Sequence, residues 1–211
     1  MTGTIRRIAG SCCVVAGAGL LLYAASVTAR GAIWQERHAA QFSRQVAATP
    51  APVPTGQVAP PRRGEALARL RVPRLGIDVV VAEGTDARSL SLGAGHLEDS
   101  ALPGQPDNCI IAGHRDGPFG RLRSARAGDL VEISDGVRRH RYEIVERRVV
   151  RKDDVRDLAP AARPILTLVT CYPIDHLGPA PRRLVVRGEL REGDVTAGPP
   201  GATARRSCSS R

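Results

Sequence analysis

LTLVTCYP, residues 166–173, is an apolar run of strand length that ends on a threonine, a cysteine, a tyrosine and a proline. Near-continuous apolar character over 165–170 reads as a strand covered on both faces. A second stretch, NCIIAGHRD at 108–116, is an apolar run that stops at Gly113-His114. A third, APRRLVVRGEL at 180–190, sets Arg182 and Arg183 in front of the apolar Leu184-Val185-Val186. Each stretch delivers a reactive side chain at a strand end, where rigid backbone can aim it into a cleft walled by loops.

Outward from these three, residues 67–190 keep one texture. Short runs rich in Val, Ile and Leu alternate with Gly, Pro, Asp and Asn, the pattern of an all-β sandwich or barrel. The strand candidates are 68–72, 77–82, 109–112, 130–134, 139–147, 165–170 and 184–189. In 139–147, Tyr142, Ile144 and Val145 mark the covered side and the arginines the wet one. Residues 119–127 fit one or two helical turns before a Gly128-Asp129 turn. Aromatic residues make up 3% of the chain, so the core must be built from aliphatic side chains. A segment of about 125 residues is large enough to fold alone.

Before this region the chain changes character twice. Residues 8–29, IAGSCCVVAGAGLLLYAASVTA, form an uncharged stretch of 22 residues, against about 20 for a helix that crosses a bilayer. Arg6 and Arg7 precede it, which orients the N-terminus toward the cytoplasm and the rest outside. A cleaved signal would have a shorter apolar core, although Val27-Thr28-Ala29 offers a cleavage site. A lipid-attached cysteine belongs at the end of such a run, and Cys12 lies near its start. The expected organisation is therefore a cytoplasmic end at 1–7, a single transmembrane anchor at 8–29 and a Pro-rich extracytoplasmic stalk at 30–66. A folded domain at 67–191 and a disordered tail at 192–211 follow. Trp34 suits the membrane interface, and a short helix over 34–46 is compatible with the stalk.

The formal net charge is +10, and all but one of the basic residues are arginines. They are scattered, with no basic run interleaved with aromatics and no nucleic-acid-binding spacing, so nucleic acid is not an expected partner. Of the five cysteines, Cys109 and Cys171 fall in the folded region. The odd count and the absence of CxxC argue against a disulfide framework or a zinc cage. Cys109 reads as a small core residue. Asp153 and Asp154 lack the spaced ligands of a calcium loop.

A cysteine, a histidine and an arginine at strand ends suit acyl transfer. A thiolate attacks a carbonyl, an imidazole moves protons, and a cation steadies the oxyanion. From residue types alone, a buried cysteine, a surface histidine and solvated arginines fit equally well. The strings go further. GHR after an apolar strand, Phe119 and Leu122, Gly128-Asp129, TLVTC and the basic residue before an apolar strand together resemble the sortase family. LRVPRLGIDVVVAEGTD at 70–86 and GAGHLEDSALPGQPDN at 93–108 are also similar to the opening of its domain. Cys-Tyr-Pro and Gly-x-Ala-Pro-x-Arg bring it nearest the class D-like members.

The resemblance implies a closed eight-stranded β-barrel in a single-pass protein of the bacterial plasma membrane. It implies cleavage of an LPxTG-like sorting signal through a thioacyl intermediate and transfer to an amine. The partners would be surface proteins bearing that signal at the C-terminus and an amine acceptor on peptidoglycan or another protein. Cys171 takes the nucleophile role and His114 the acid–base role. Arg183 takes the cationic role, because it directly precedes the apolar strand residues; Arg182 faces another way by strand alternation. Thr170 is a candidate for substrate positioning. His176 reads as a solvent-facing loop residue and His96 as a strand-end or loop residue. No cofactor is implied. Ile174 stands where the family commonly has an aromatic. The competing readings are a cysteine endopeptidase on the same fold and a non-catalytic binding barrel.

Overall fold

The computed structural model describes residues 2–47, 61–176 and 178–191. Eight strands, β1 (Ala66–Val72), β2 (Ile77–Glu83), β3 (Ala94–His96), β4 (Asn108–Gly113), β5 (Leu130–Ser134), β6 (Arg139–Arg151), β7 (Ile165–Tyr172) and β8 (Arg182–Leu190), close into a barrel. The order around the wall is β1-β2-β3-β4-β7-β8-β6-β5. The β2–β3 and β4–β7 pairs are parallel and the others antiparallel. The β1–β5 pairing closes the ring and leaves no free edge.

Alternation along each strand fills the interior. Leu70, Val79, Val81, Ile111, Val131, Ile133, Leu166, Leu168, Leu184 and Val186 are buried together with Tyr142 and Ile144. At the outer surface Arg69 pairs with Asp78 at 2.7 Å, and Arg141 with Glu132 at 3.3 Å. These arginines thus coat the wall in paired form.

Three details depart from the sequence reading. β3 was not among the strand candidates: its three residues, Ala-Gly-His, are too few for an alternation pattern, and neighbouring strands define it. β6 extends beyond 147 to Arg151, and plain alternation after the buried Tyr142 and Ile144 leaves Val145 outward at 47% exposure. A register shift between Ile144 and Glu146 leaves it the unpaired residue of a bulge.

Helix α1 (Thr2–Ala47) runs without a break through the apolar stretch and beyond it. The part of the expected stalk at 30–47 is therefore helix. It holds no proline, and its Ala, Gln, Glu and Arg residues favour helix. The prolines from Pro50 to Pro60 and the tail at 192–211 lie outside the described residues. A short helix α2 (Ala87–Ser91) opens the path to β3, capped by the Asp86 carboxylate, which accepts from the N–H groups of Arg88 and Ser89.

Candidate active site

Register brings the three predicted residues together. Gly113 on β4 lies opposite Thr170 on β7, and Thr170 lies opposite Leu184 on β8. Leu166 and Leu168 fill the core, so alternation turns Thr170 inward and Cys171 outward. On β8, Leu184 and Val186 fill the core, so Arg183 faces out, directly across the ladder from Cys171. His114 is the next residue after Gly113. The same parallel register carried one step sets it beside Cys171 on the outer face. Cys171 and Arg183 are half-buried and His114 is exposed, so a substrate can reach all three.

Arg182 is paired in the ladder with Tyr172, and its guanidinium sits 5.3 Å from that ring's centroid. This cation–π contact takes it off the Cys171 face. Thr170 is 2% exposed, and its hydroxyl donates to the Gly113 carbonyl at 2.8 Å. It ties the end of β7 to the end of β4.

Local packing explains why the motif residues have their spacing. A Cβ on Gly113 would lie 2.6 Å from the Phe119 ring, so glycine lets that ring close beneath the residue preceding His114. Phe119 and Leu122 are buried on the 3₁₀ turn Pro118–Ser124. Gly120 is needed because a Cβ there would stand 2.1 Å from the Arg115 carbonyl oxygen. The Gly128-Asp129 turn is held by its own charge pair. The buried Asp129 carboxylate bonds Arg74 and accepts from the Arg126 N–H at 2.8 Å, and the Arg74 guanidinium holds it below the usual carboxylate range.

Arg115 was missed by the sequence reading. It donates to the Pro173 carbonyl at 3.2 Å and the Gly178 carbonyl at 2.6 Å. One guanidinium thus spans from the His114 segment to the connection between Cys171 and Arg183. No spacing rule announces such a contact; only the GHR string itself marks the position. Arg183 in turn donates to the Ala180 carbonyl at 3.2 Å and to its neighbour's at 3.0 Å.

The β6–β7 connection is stapled to the same outer wall. Asn108 donates to the carbonyls of Asp157 at 2.8 Å and Ala159 at 3.2 Å, and Thr167 donates to Asn108 at 2.7 Å. The buried Asp157 carboxylate accepts from Arg148. Val155 and Leu158 on this connection remain exposed.

The other candidates stand apart. Cys109 is 1% exposed in the core, where burial pushes its thiol far up. His96 is buried at the end of β3, with Nδ1 2.9 Å from Glu83 and Nε2 facing the Ala101 carbonyl and the Ser100 hydroxyl. His176 is exposed. Asp153 and Asp154 pair with Arg151 and Arg156. Among the described residues no group of three or more His, Cys, Asp or Glu is arranged to hold a metal ion.

The class is defined by a closed eight-stranded barrel that carries a cysteine, a histidine and an arginine on neighbouring strand ends at its outer face. The sortase-domain family profile matches residues 70–191. The chain belongs to the sortase family. It is 34% identical over 130 residues to Sortase D of Bacillus subtilis (strain 168), a match covering 61% of this chain and 66% of that protein, so just under two thirds of the relative's length. Among solved structures it is similar to a Clostridium perfringens Sortase D5 transpeptidase, with a TM-score of 0.57 and 28% identity over 62% of this chain and 81% of that one. It is also similar to sortase E from Streptomyces avermitilis, with a TM-score of 0.53 and 30% identity over 62% and 90%.

Proposed function

We propose that this protein is a membrane-anchored cysteine transpeptidase that cleaves an LPxTG-like sorting signal and passes the upstream protein to an amine. The observation that carries the reading is the Cys171–Arg183 ladder pair on an open outer face, with His114 one step beyond the Gly113–Thr170 pair.

The Cys171 sulfur, as thiolate, attacks the carbonyl carbon of the scissile peptide bond, and the carbonyl oxygen becomes an oxyanion beside the Arg183 guanidinium. His114, protonated at this stage, gives its proton to the departing amine nitrogen as the C–N bond breaks, leaving a thioester on Cys171. An acceptor amine then attacks the thioester. His114 takes the proton from that nitrogen, the C–S bond breaks, and the thiolate and imidazolium are restored. Thr170 acts from beneath by holding the β4 and β7 ends in register. The acceptor amine belongs to peptidoglycan or to another surface protein.

The apolar part of α1 is long enough to span a bilayer, and Arg6 and Arg7 on its N-terminal side favour an extracytoplasmic barrel. An extracytoplasmic barrel would present the thiol where surface proteins emerge.

A peptide library offered to the full chain, with and without hydroxylamine, tests the reading. A transpeptidase yields a hydroxamate product in proportion to added amine, and Cys171→Ala yields none. Exposure of His114 also leaves water free to reach the thioester, which favours slow hydrolysis as a side reaction; product indifferent to the amine would make hydrolysis the main activity. Cleavage by Cys171→Ala would overturn both.

A further inference from the structure

The outer end of α1 does not stand clear of the barrel. Gly31, Gln35, Ala39 and Phe42 recur along one helical face, and each meets the wall. A Cβ on Gly31 would lie 2.8 Å from the Ser91 carbonyl oxygen, so the helix and α2 are in close contact there. The Gln35 amide bonds the backbone of Val80 twice, accepting its N–H at 2.7 Å and donating to its carbonyl at 2.9 Å. The same amide donates to the Leu92 carbonyl at 2.6 Å. Arg69 donates to the Ala39 carbonyl at 3.2 Å and to Ser43, and Phe42 is 6% exposed.

Gln35 grips a particular row of the barrel. Val81, Ala94, Gly113, Thr170 and Leu184 form one continuous line of ladder partners across β2, β3, β4, β7 and β8. The next row, on the outer face, begins with Val80 and ends with Cys171 and Arg183, and His114 lies within it. The residue clamped by Gln35 and the candidate nucleophile thus share a row, three strand spacings apart. That is about 14 Å along the wall.

The height of the site follows. Gln35 lies six residues past Ala29, the last residue of the uncharged stretch, which is about 9 Å of helix rise. The Gln35 side chain and its hydrogen bond to Val80 add about 7 Å, so whatever the tilt Cys171 is no more than about 30 Å above the hydrocarbon edge, the reach of roughly nine extended residues.

We propose that α1 is a ruler. It fixes Cys171 at one height above the bilayer, so a substrate held in the same membrane is accepted only when the spacer between its scissile bond and its own apolar span reaches that height. The selected substrate is a membrane-anchored polypeptide with a minimum juxtamembrane spacer, set by the enzyme's own docked helix. This rests on the transpeptidase and anchor readings above.

The test co-reconstitutes the full chain in vesicles with a membrane-anchored reporter carrying the best signal from the peptide library. The spacer after the signal is varied from about two to about fifteen residues. Seven polar helix-forming residues are then inserted between Ala29 and Arg30. The insertion adds close to two turns, keeps the docking face in phase, and lifts the barrel by about 10 Å. The parent enzyme should show a sharp lower limit of spacer length at or below about nine residues. In the insertion variant that limit should rise by about three residues, with at least a tenfold loss on the shortest spacer the parent accepts. Turnover of the soluble library peptide should be unchanged. An eleven-residue insertion, close to three turns, should raise the limit by about five residues and serves if the first variant folds poorly. A limit that stays put while soluble-peptide turnover is intact overturns the ruler. A parent enzyme inert toward the soluble peptide overturns the transpeptidase reading, and the ruler with it.

Discussion

Cys109 and Cys171 sit on paired strands, yet one is packed in the core with its thiol driven up by burial while the other is half-buried at the outer face. Within the barrel, mild alkylation followed by peptide mass mapping should modify Cys171 and spare Cys109. The two arginines at the start of β8 differ for a similar reason. Arg183→Ala should lower kcat by about 10²–10³, the range for losing one oxyanion-side group, whereas Arg182→Ala should change it by less than about threefold. The second variant loses only the contact with Tyr172, on the order of 0.5–1 kcal/mol for an exposed cation–π pair. A larger loss from Arg182→Ala than from Arg183→Ala would return the assignment to Arg182. Arg115 belongs at this scale too. Arg115→Met removes both donors to the connection after Cys171 and should lower kcat about tenfold with little change in KM, since the groups misaligned act in the transition state. Arg115→Lys, with donors for one carbonyl, should fall between.

Among the elements, the strands with long apolar runs were legible and the short one was not. β4 and β7 announce themselves because both of their faces are covered, β7 on its outer side by the stapled β6–β7 connection. β3 carries no such signal, since pairing with β2 and β4 defines it. The candidate site was readable in Cys171, His114 and Arg183 because each ends or begins a recognisable run. Arg115 and the Thr170–Gly113 bond were not, because both depend on chain segments more than fifty residues apart meeting. Near the N-terminal end of β6, His140 is 3% exposed, its ring packed against Gly104, and among the described residues neither nitrogen has a hydrogen-bond partner. Burial holds its pKa below the ordinary value. The unfolded chain therefore takes up the proton first as pH falls, so His140's contribution is full above about pH 6.5 and is lost below it, down to the lowered folded value. The Tm of the full chain should decline between pH 7.5 and 5.5, and His140→Phe should flatten that slope. An unchanged slope would place the pH sensitivity elsewhere.

For the whole molecule, the notable feature is that the long apolar helix and the barrel are joined by contact as well as by chain. The sequence marks the helix by the length of its apolar run. It does not give the docking, because Gln35, Gly31 and Phe42 form no run of one chemical kind and acquire meaning only against Val80, Ser91 and the β1 wall. Gln35→Leu removes three hydrogen bonds and leaves the Val80 N–H and C=O without their side-chain partner. Each unpaired buried group costs about 1–3 kcal/mol. The variant should expose the α1–β2 contact to faster hydrogen exchange at Val80, whose N–H Gln35 accepts, while leaving soluble-peptide turnover within about twofold. Protection at Val80 equal to that of the parent would mean that the helix does not rest on the barrel in solution.

The chemistry itself is tested most directly by intact mass measurement of the full chain after brief mixing with the best library peptide, without added amine. A thioester intermediate predicts a mass increase equal to the acyl fragment, mapped to Cys171, absent in Cys171→Ala and discharged within the turnover time by hydroxylamine. Product formation with no such adduct on rapid quenching, or an adduct on any other residue, would contradict the assignment of Cys171 as the acyl-carrying nucleophile.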